Sequence, residues 1–230
     1  MTETVTFSSN GADAAGYLAL PESGAGPGVI VVQEWWGLDS GIKEMADRLA
    51  AAGFVALAPD LYHGELAGHT EMDKAGALMA SLPPERAARD MSGAVDYLAG
   101  HEATTGNGIG VMGFCMGGLF SFVLAALRPD MIKAVVPFYG FPQGEAQPDY
   151  SNIEAVIQGH MAENDDFFPP AAALELEAKL KELGKNVSFT VHPGSGHAFM
   201  APHNAMGTQD LELGARIWPQ ATAFLHDHLR

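Results

Sequence analysis

Cysteine occurs once in these 230 residues, at Cys115. No intrachain disulfide is therefore possible, and the fold does not depend on an oxidising compartment. Cations are scarce: 12 Lys and Arg stand against 28 Asp and Glu, a formal net charge of −16. Without a basic patch, binding to nucleic acid or to an anionic membrane is not expected. The densest basic group, Lys179, Lys181 and Lys185, is interleaved with Glu175, Glu177 and Glu182 and reads as a solvated helix face. No apolar run approaches membrane-spanning length, and the start Met1-Thr-Glu-Thr-Val-Thr-Phe lacks the basic and apolar segments of a signal peptide. The expected location is the cytoplasm. No linker, internal repeat or low-complexity tract divides the chain, so one domain over residues 1–230 is expected, as a monomer.

What the chain does have is alternation. "VTFSS" (Val5–Ser9) and "GYLALP" (Gly16–Pro21), separated by a turn rich in Gly, Asn and Asp, predict an opening antiparallel hairpin. The runs "GVIVVQE", "FVALAPDL", "GIGVMGF", "AVVPFYG", "EAVIQGHMAE" and "VSFTVHPG" follow. Most are apolar nearly throughout, as parallel strands buried on both faces should be. Helices are predicted between them. One is capped by Asp39 or Ser40 and carries Ile42, Met45, Ala46 and Leu49 before Gly53 stops it. Others cover Arg86–Leu98 and Met116–Leu127, and another runs from Pro169-Pro170 to Gly184 with Leu176, Leu180 and Leu183 on one face. The last, Leu211–Leu229, should be kinked or split at Pro219. The pattern implies an α/β fold: a mostly parallel central sheet with helices on both faces.

In such folds ligands bind beyond the carboxyl ends of the strands. Four strands there are followed by reactive groups: Glu34 with Trp35 and Trp36, then Cys115, then Asp165 and Asp166, then His197. Gly113-Phe114-Cys115-Met116-Gly117 fits G-x-S-x-G with sulfur for oxygen, a nucleophile elbow between strand and helix. Its glycines are expected where backbone segments pass too close for a side chain. A helix starting under the thiol favours both a thiolate and a developing oxyanion. A lone cysteine is often just a small buried hydrophobe; a phosphate loop would need Gly-Lys-Ser/Thr, which is missing. His197 follows the last strand in a Gly/Pro loop, and the order Cys115, Asp165, His197 is that of α/β-hydrolase triads. His192, His203, His226 and His228 read as surface or helix-end residues. Either Asp165 or Asp166 suits the acid, the other being a surface or capping residue. No H-E-x-x-H or comparable spacing supports a metal, and no cofactor is expected.

Taken together, "VVQEWWG", "APDLYHG", "GFCMGG", "FYG", "ENDDFFP" and "GSGHAF" resemble, in order and over essentially the full length, the dienelactone hydrolase (carboxymethylenebutenolidase) family of α/β-hydrolases. The resemblance implies a Cys-His-Asp triad of Cys115, His197 and Asp165, the Asp-x-Phe-x-Pro spacing selecting Asp165. It also implies that Glu34 contacts the resting thiol, and that the backbone N–H groups of Met116 and Trp35 form the oxyanion hole. One departure matters: where dienelactone-specific members carry an arginine four residues after the catalytic histidine, this chain has Ala201, and residues 64–82 contain no arginine. The expected substrate is thus a neutral or apolar ester or lactone, cleaved through a thioester. Trp35, Trp36, Tyr62, Tyr139, Phe167 and Phe168 are candidates to hold it, or are plain core. The rival expectations are an amide or peptide hydrolase using the same triad, and a non-catalytic protein whose Cys115 senses oxidants.

Overall fold

The computed structural model describes residues 1–9, 11–144 and 147–230. Its strands are β1 Thr2–Ser9, β2 Ala12–Ala19, β3 Gly26–Val32, β4 Val55–Pro59, β5 Thr104–Phe114, β6 Ile132–Phe138, β7 Val156–Asn164 and β8 Val187–Gly196. They form one eight-stranded sheet in the order β1-β2-β4-β3-β5-β6-β7-β8. From β4 to β8 every neighbouring pair is parallel. The hairpin β1–β2 is antiparallel and joins the sheet antiparallel to β4. This is the α/β-hydrolase architecture expected from the sequence. Asn10, part of the turn expected between these two strands, lies outside the described residues.

The helices are α1 Ser40–Ala51, α2 Met72–Ser81, α3 Pro84–Gly100, α4 Met116–Leu127, α5 Pro170–Glu182 and α6 Leu211–Leu229. Alternate residues of each central strand feed opposite cores. In β3, Ile30 and Val32 meet the core formed with α3, α4 and α5, whereas Val29 and Val31 meet α1 and α6. Both faces are covered, which explains why these strands are apolar without interruption. Asp39 caps α1 as expected, its Oδ1 accepting the Ile42 N–H at 2.9 Å.

Three local expectations are corrected. Helix α6 is not split at Pro219 but continuous through it. An interior proline costs about 3 kcal/mol. Ile217, Leu225 and Leu229 are each at most 1% exposed, and burial of such side chains contributes about 1.5–3 kcal/mol apiece, so packing wins. Leu183 lies beyond the end of α5 and is 46% exposed; Ala173 joins Leu176 and Leu180 on the buried face instead. Helix α2, which the pattern did not announce, buries only Ala75, so it has almost no apolar stripe to read.

His192, expected at the surface, is buried in β8, where its Nε2 meets His160 Nδ1 at 3.1 Å. His160 stacks on Phe138 at 5.0 Å, and its Nε2 has no partner among the described residues. Burial, with the adjacent His192, pulls its pKa down to about 3. The folded protein therefore keeps His160 neutral while the unfolded chain takes up a proton below about pH 6.5. The stability this contributes is complete above pH 6.5 and is lost as pH falls towards 3, to a limit on the order of 5 kcal/mol. Thermal melts from pH 7 to pH 4 should fall more steeply for the wild type than for His160→Gln; identical slopes would contradict this account.

Candidate active site

Helix α4 begins directly under β5, with Cys115 as the single residue between them. That residue has φ 54° and ψ −117°, a conformation that costs a residue bearing a Cβ on the order of 1–3 kcal/mol. The turn is tight because its neighbours are packed backbone to backbone. A Cβ on Gly117 would lie 2.7 Å from the Gln33 carbonyl oxygen at the end of β3, and one on Gly118 would lie 2.6 Å from that of Gly140. A Cβ on Gly113 would overlap the Gly117 carbonyl. The three glycines around the lone thiol are there for close approach.

The loop after β7 supplies the acid. Asp165 is buried, and its Oδ1 accepts the N–H groups of Phe167 and Phe168, each at 2.9 Å. Its Oδ2 lies 2.8 Å from His197 Nδ1. Asp166 is exposed. His197, in the loop after β8, is held between aromatic rings: Phe168 stacks on it at 5.8 Å and Tyr139 meets it edge-on at 5.2 Å. With Nδ1 occupied by Asp165, Nε2 is the nitrogen left for chemistry. His197 lines a cavity of about 300 Å³ together with Cys115 and Glu34.

Trp36, Phe167 and Phe168 also line this cavity, as do Trp35 and Met116. Tyr62 and Tyr139 do not. Tyr62 lies beneath the wall with its hydroxyl 3.5 Å from Met116 Sδ, and Tyr139 is fully buried beside His197. Met79 of α2, Leu119, Gln143 and Met206 complete the wall; none follows a strand end, so the sequence offered no marker for them. The lining contains neither Lys nor Arg.

Around the sulfur the electrostatics oppose one another. Burial pushes the Cys115 thiol far above its ordinary pKa, and the charge of Glu34 pushes it further. The backbone N–H groups of Met116 and Trp35 face the sulfur and partly offset this, while Asp165 adds a smaller upward push. Among the described residues no hydrogen bond joins Sγ to His197, and the groups that favour its charge are the two backbone N–H donors.

A model of the "Dienelactone hydrolase family" matches residues 14–229. The chain belongs to this family, whose members are hydrolases of esters or lactones. A protein of Aquifex pyrophilus named "Protein usf" is 41% identical over 206 residues, covering 87% of each chain. A protein of Aquifex aeolicus, provisionally named a carboxymethylenebutenolidase, is 35% identical and covered fully, as is this chain. The crystal structure of a provisionally assigned dienelactone hydrolase from Klebsiella pneumoniae superposes with a TM-score of 0.80 at 25% identity, covering 97% of this chain and 98% of that one. No helix among the described residues is long and apolar enough to cross a membrane.

Two further histidines cluster beside Glu34. His203, expected at the surface, places Nε2 3.1 Å from Glu34 Oε2. His69 Nε2 lies 2.6 Å from Asp39 Oδ2, and the centroids of the two imidazoles are 3.8 Å apart with their planes tilted by 34°. His226, in the last turn of α6 as a helix-end residue should be, packs on Phe54 at 4.1 Å and donates to the Ala52 carbonyl from Nε2 at 2.9 Å. Asp39, His69 and His203 bring three donor atoms within 4.8 Å of one another. Both Nε2 atoms already face carboxylates, so this arrangement is a hydrogen-bonded charge cluster.

A thiol held this far above its ordinary pKa reacts slowly. Iodoacetamide should label Cys115 slowly at pH 7, and the rate should rise about tenfold per pH unit between pH 8 and 9.5 without a plateau. Rapid labelling with a plateau below pH 8 would contradict the balance of charges described above.

Proposed function

We propose that this family member hydrolyses neutral or apolar carboxylic esters or lactones, with Cys115 as nucleophile, His197 as base and acid, and Asp165 as the group that orients the imidazole. The observation that carries the reading is the Asp165–His197 pair, which leaves Nε2 free on the same cavity that Cys115 lines.

Substrate binding places the carbonyl carbon over the strained turn. Sγ gives its proton to His197 Nε2 and bonds to that carbon, while the carbonyl electrons move onto oxygen. The backbone N–H groups of Met116 and Trp35 hold the oxyanion. On collapse the C–O bond breaks, and the alkoxide leaves with the proton carried by His197. A water then gives a proton to His197 Nε2 and attacks the thioester; acid is released and the proton returns to sulfur. The net reaction is ester plus water to acid plus alcohol.

The cavity wall supports an uncharged substrate. It offers aromatic and methionine surface, no fixed cation, and the charge of Glu34, so a carboxylated substrate would give up water without finding a partner. Ala201, where the dienelactone-specific arginine is expected, is itself buried and only 2% exposed. Sulfur further favours esters: an amide intermediate expels thiolate in preference to an unprotonated amine, so peptides return to starting material.

Cys115→Ala and His197→Ala should each lower kcat/KM for an aryl acetate on the order of 10³-fold or more. A neutral ester should be cleaved faster than its carboxylated analogue, and a peptide anilide should be left intact. Unchanged turnover in Cys115→Ala, or preference for the anilide, would overturn the proposal.

A further inference from the structure

Glu34 is the group in the site whose control the proposed reaction leaves unexplained. Its side chain is almost fully buried, and one oxygen, Oε1, has no hydrogen-bond partner among the described residues. Its other oxygen is held by His203 alone. The tautomer of His203 is fixed from behind: Nδ1 accepts the Ala205 N–H at 3.4 Å, which puts the proton on Nε2, facing Glu34. Trp36 closes the arrangement edge-on, with its ring 6.1 Å from His203 and 5.4 Å from His69.

We propose that His203 is a positioning residue that holds the Glu34 carboxylate beside the resting thiol and, by gaining or losing a proton, sets how strongly that carboxylate opposes ionisation of Cys115. The proposal rests on Cys115 as the reactive group of the site but not on ester turnover.

The charged and titratable groups around His203 come from five elements. Glu34 follows β3, Asp39 caps α1, and His69 precedes α2. Cys115 heads α4, Tyr139 follows β6, and both feel the charge of Glu34. Burial by itself would lower the His203 pKa; the bond to Glu34 and the charges of Glu34 and Asp39 more than reverse it. A protonated His203 cancels the Glu34 charge, leaving only burial against the thiol. Once His203 loses its proton the pair carries a net negative charge, and ionisation of the sulfur a few ångströms away becomes harder. The Nε2–H also fixes where Glu34 sits. Without it the buried carboxylate must find another donor, and the Tyr139 hydroxyl and the Cys115 thiol are the donors beside it.

The test follows the reaction of Cys115 with 2,2′-dipyridyl disulfide, which attacks thiols even in acid, from pH 5.5 to 9.5. The wild type should show a step in its profile above pH 6.5. His203→Gln keeps an N–H at the same place but cannot titrate. It should match the wild type within twofold at pH 9, react roughly three- to tenfold more slowly at pH 6, and lose the step. His203→Leu should depart from the wild type by more than threefold at pH 9 as well. His69→Gln should retain the step. A step that survives His203→Gln, or disappears in His69→Gln alone, would overturn the proposal. So would a folded His203→Leu with the wild-type profile. If no ester is turned over while these profiles appear as expected, the hydrolytic reading falls and this one stands.

Discussion

Everything reactive in this molecule depends on one residue standing in a conformation that its own Cβ disfavours. Cys115 has a positive φ because α4 must turn back under β5 within a single residue. It can do so only because Gly113, Gly117 and Gly118 let the end of β3, the start of α4 and the segment after β6 meet without side chains between them. The strain, on the order of 1–3 kcal/mol, is small beside what α4 gains by docking. Phe122 and Leu124 are completely buried, each contributing about 1.5–3 kcal/mol. The fold can therefore hold the sulfur up at the sheet edge, above the free N–H groups of a helix start.

That position brings two opposing demands. A helix N-terminus and two inward backbone donors favour a thiolate, whereas apolar walls and Glu34 disfavour it, and the second pair prevails. The outcome is a sulfur whose ionisation is disfavoured. The geometry of the Asp165–His197 pair is secured by two backbone N–H groups on Asp165 and by aromatic faces on the imidazole.

Much of this was legible in the sequence because the reporting signals are local. Strands buried on both faces are apolar throughout, and reactive residues that directly follow them, such as Glu34, Cys115, Asp165 and His197, come to one edge by topology alone. What escaped notice lies where no local signal exists. Helix α2 buries a single alanine, so its part in walling the cavity through Met79 leaves no periodicity. The Asp39–His69–His203–Glu34 cluster is assembled from three separate segments: Glu34 and Asp39 share the connection from β3 to α1, while His69 and His203 come from segments 30 and 169 positions from the carboxylates they meet. Tyr62 and Tyr139 illustrate the converse error. Aromatics near a predicted site look like substrate contacts, but these two fill the layer below it.

The central claim is that this strained sulfur carries the acyl group. Rapid acid-quench mass spectrometry of the wild-type enzyme mixed with an excess of aryl acetate and sampled within the first turnovers tests it directly. The account predicts a mass gain of one acetyl group on the peptide that contains Cys115, removed by hydroxylamine at neutral pH as a thioester should be. Acetyl found on a different residue, or an unmodified Cys115 peptide while aryl alcohol is released, would contradict it.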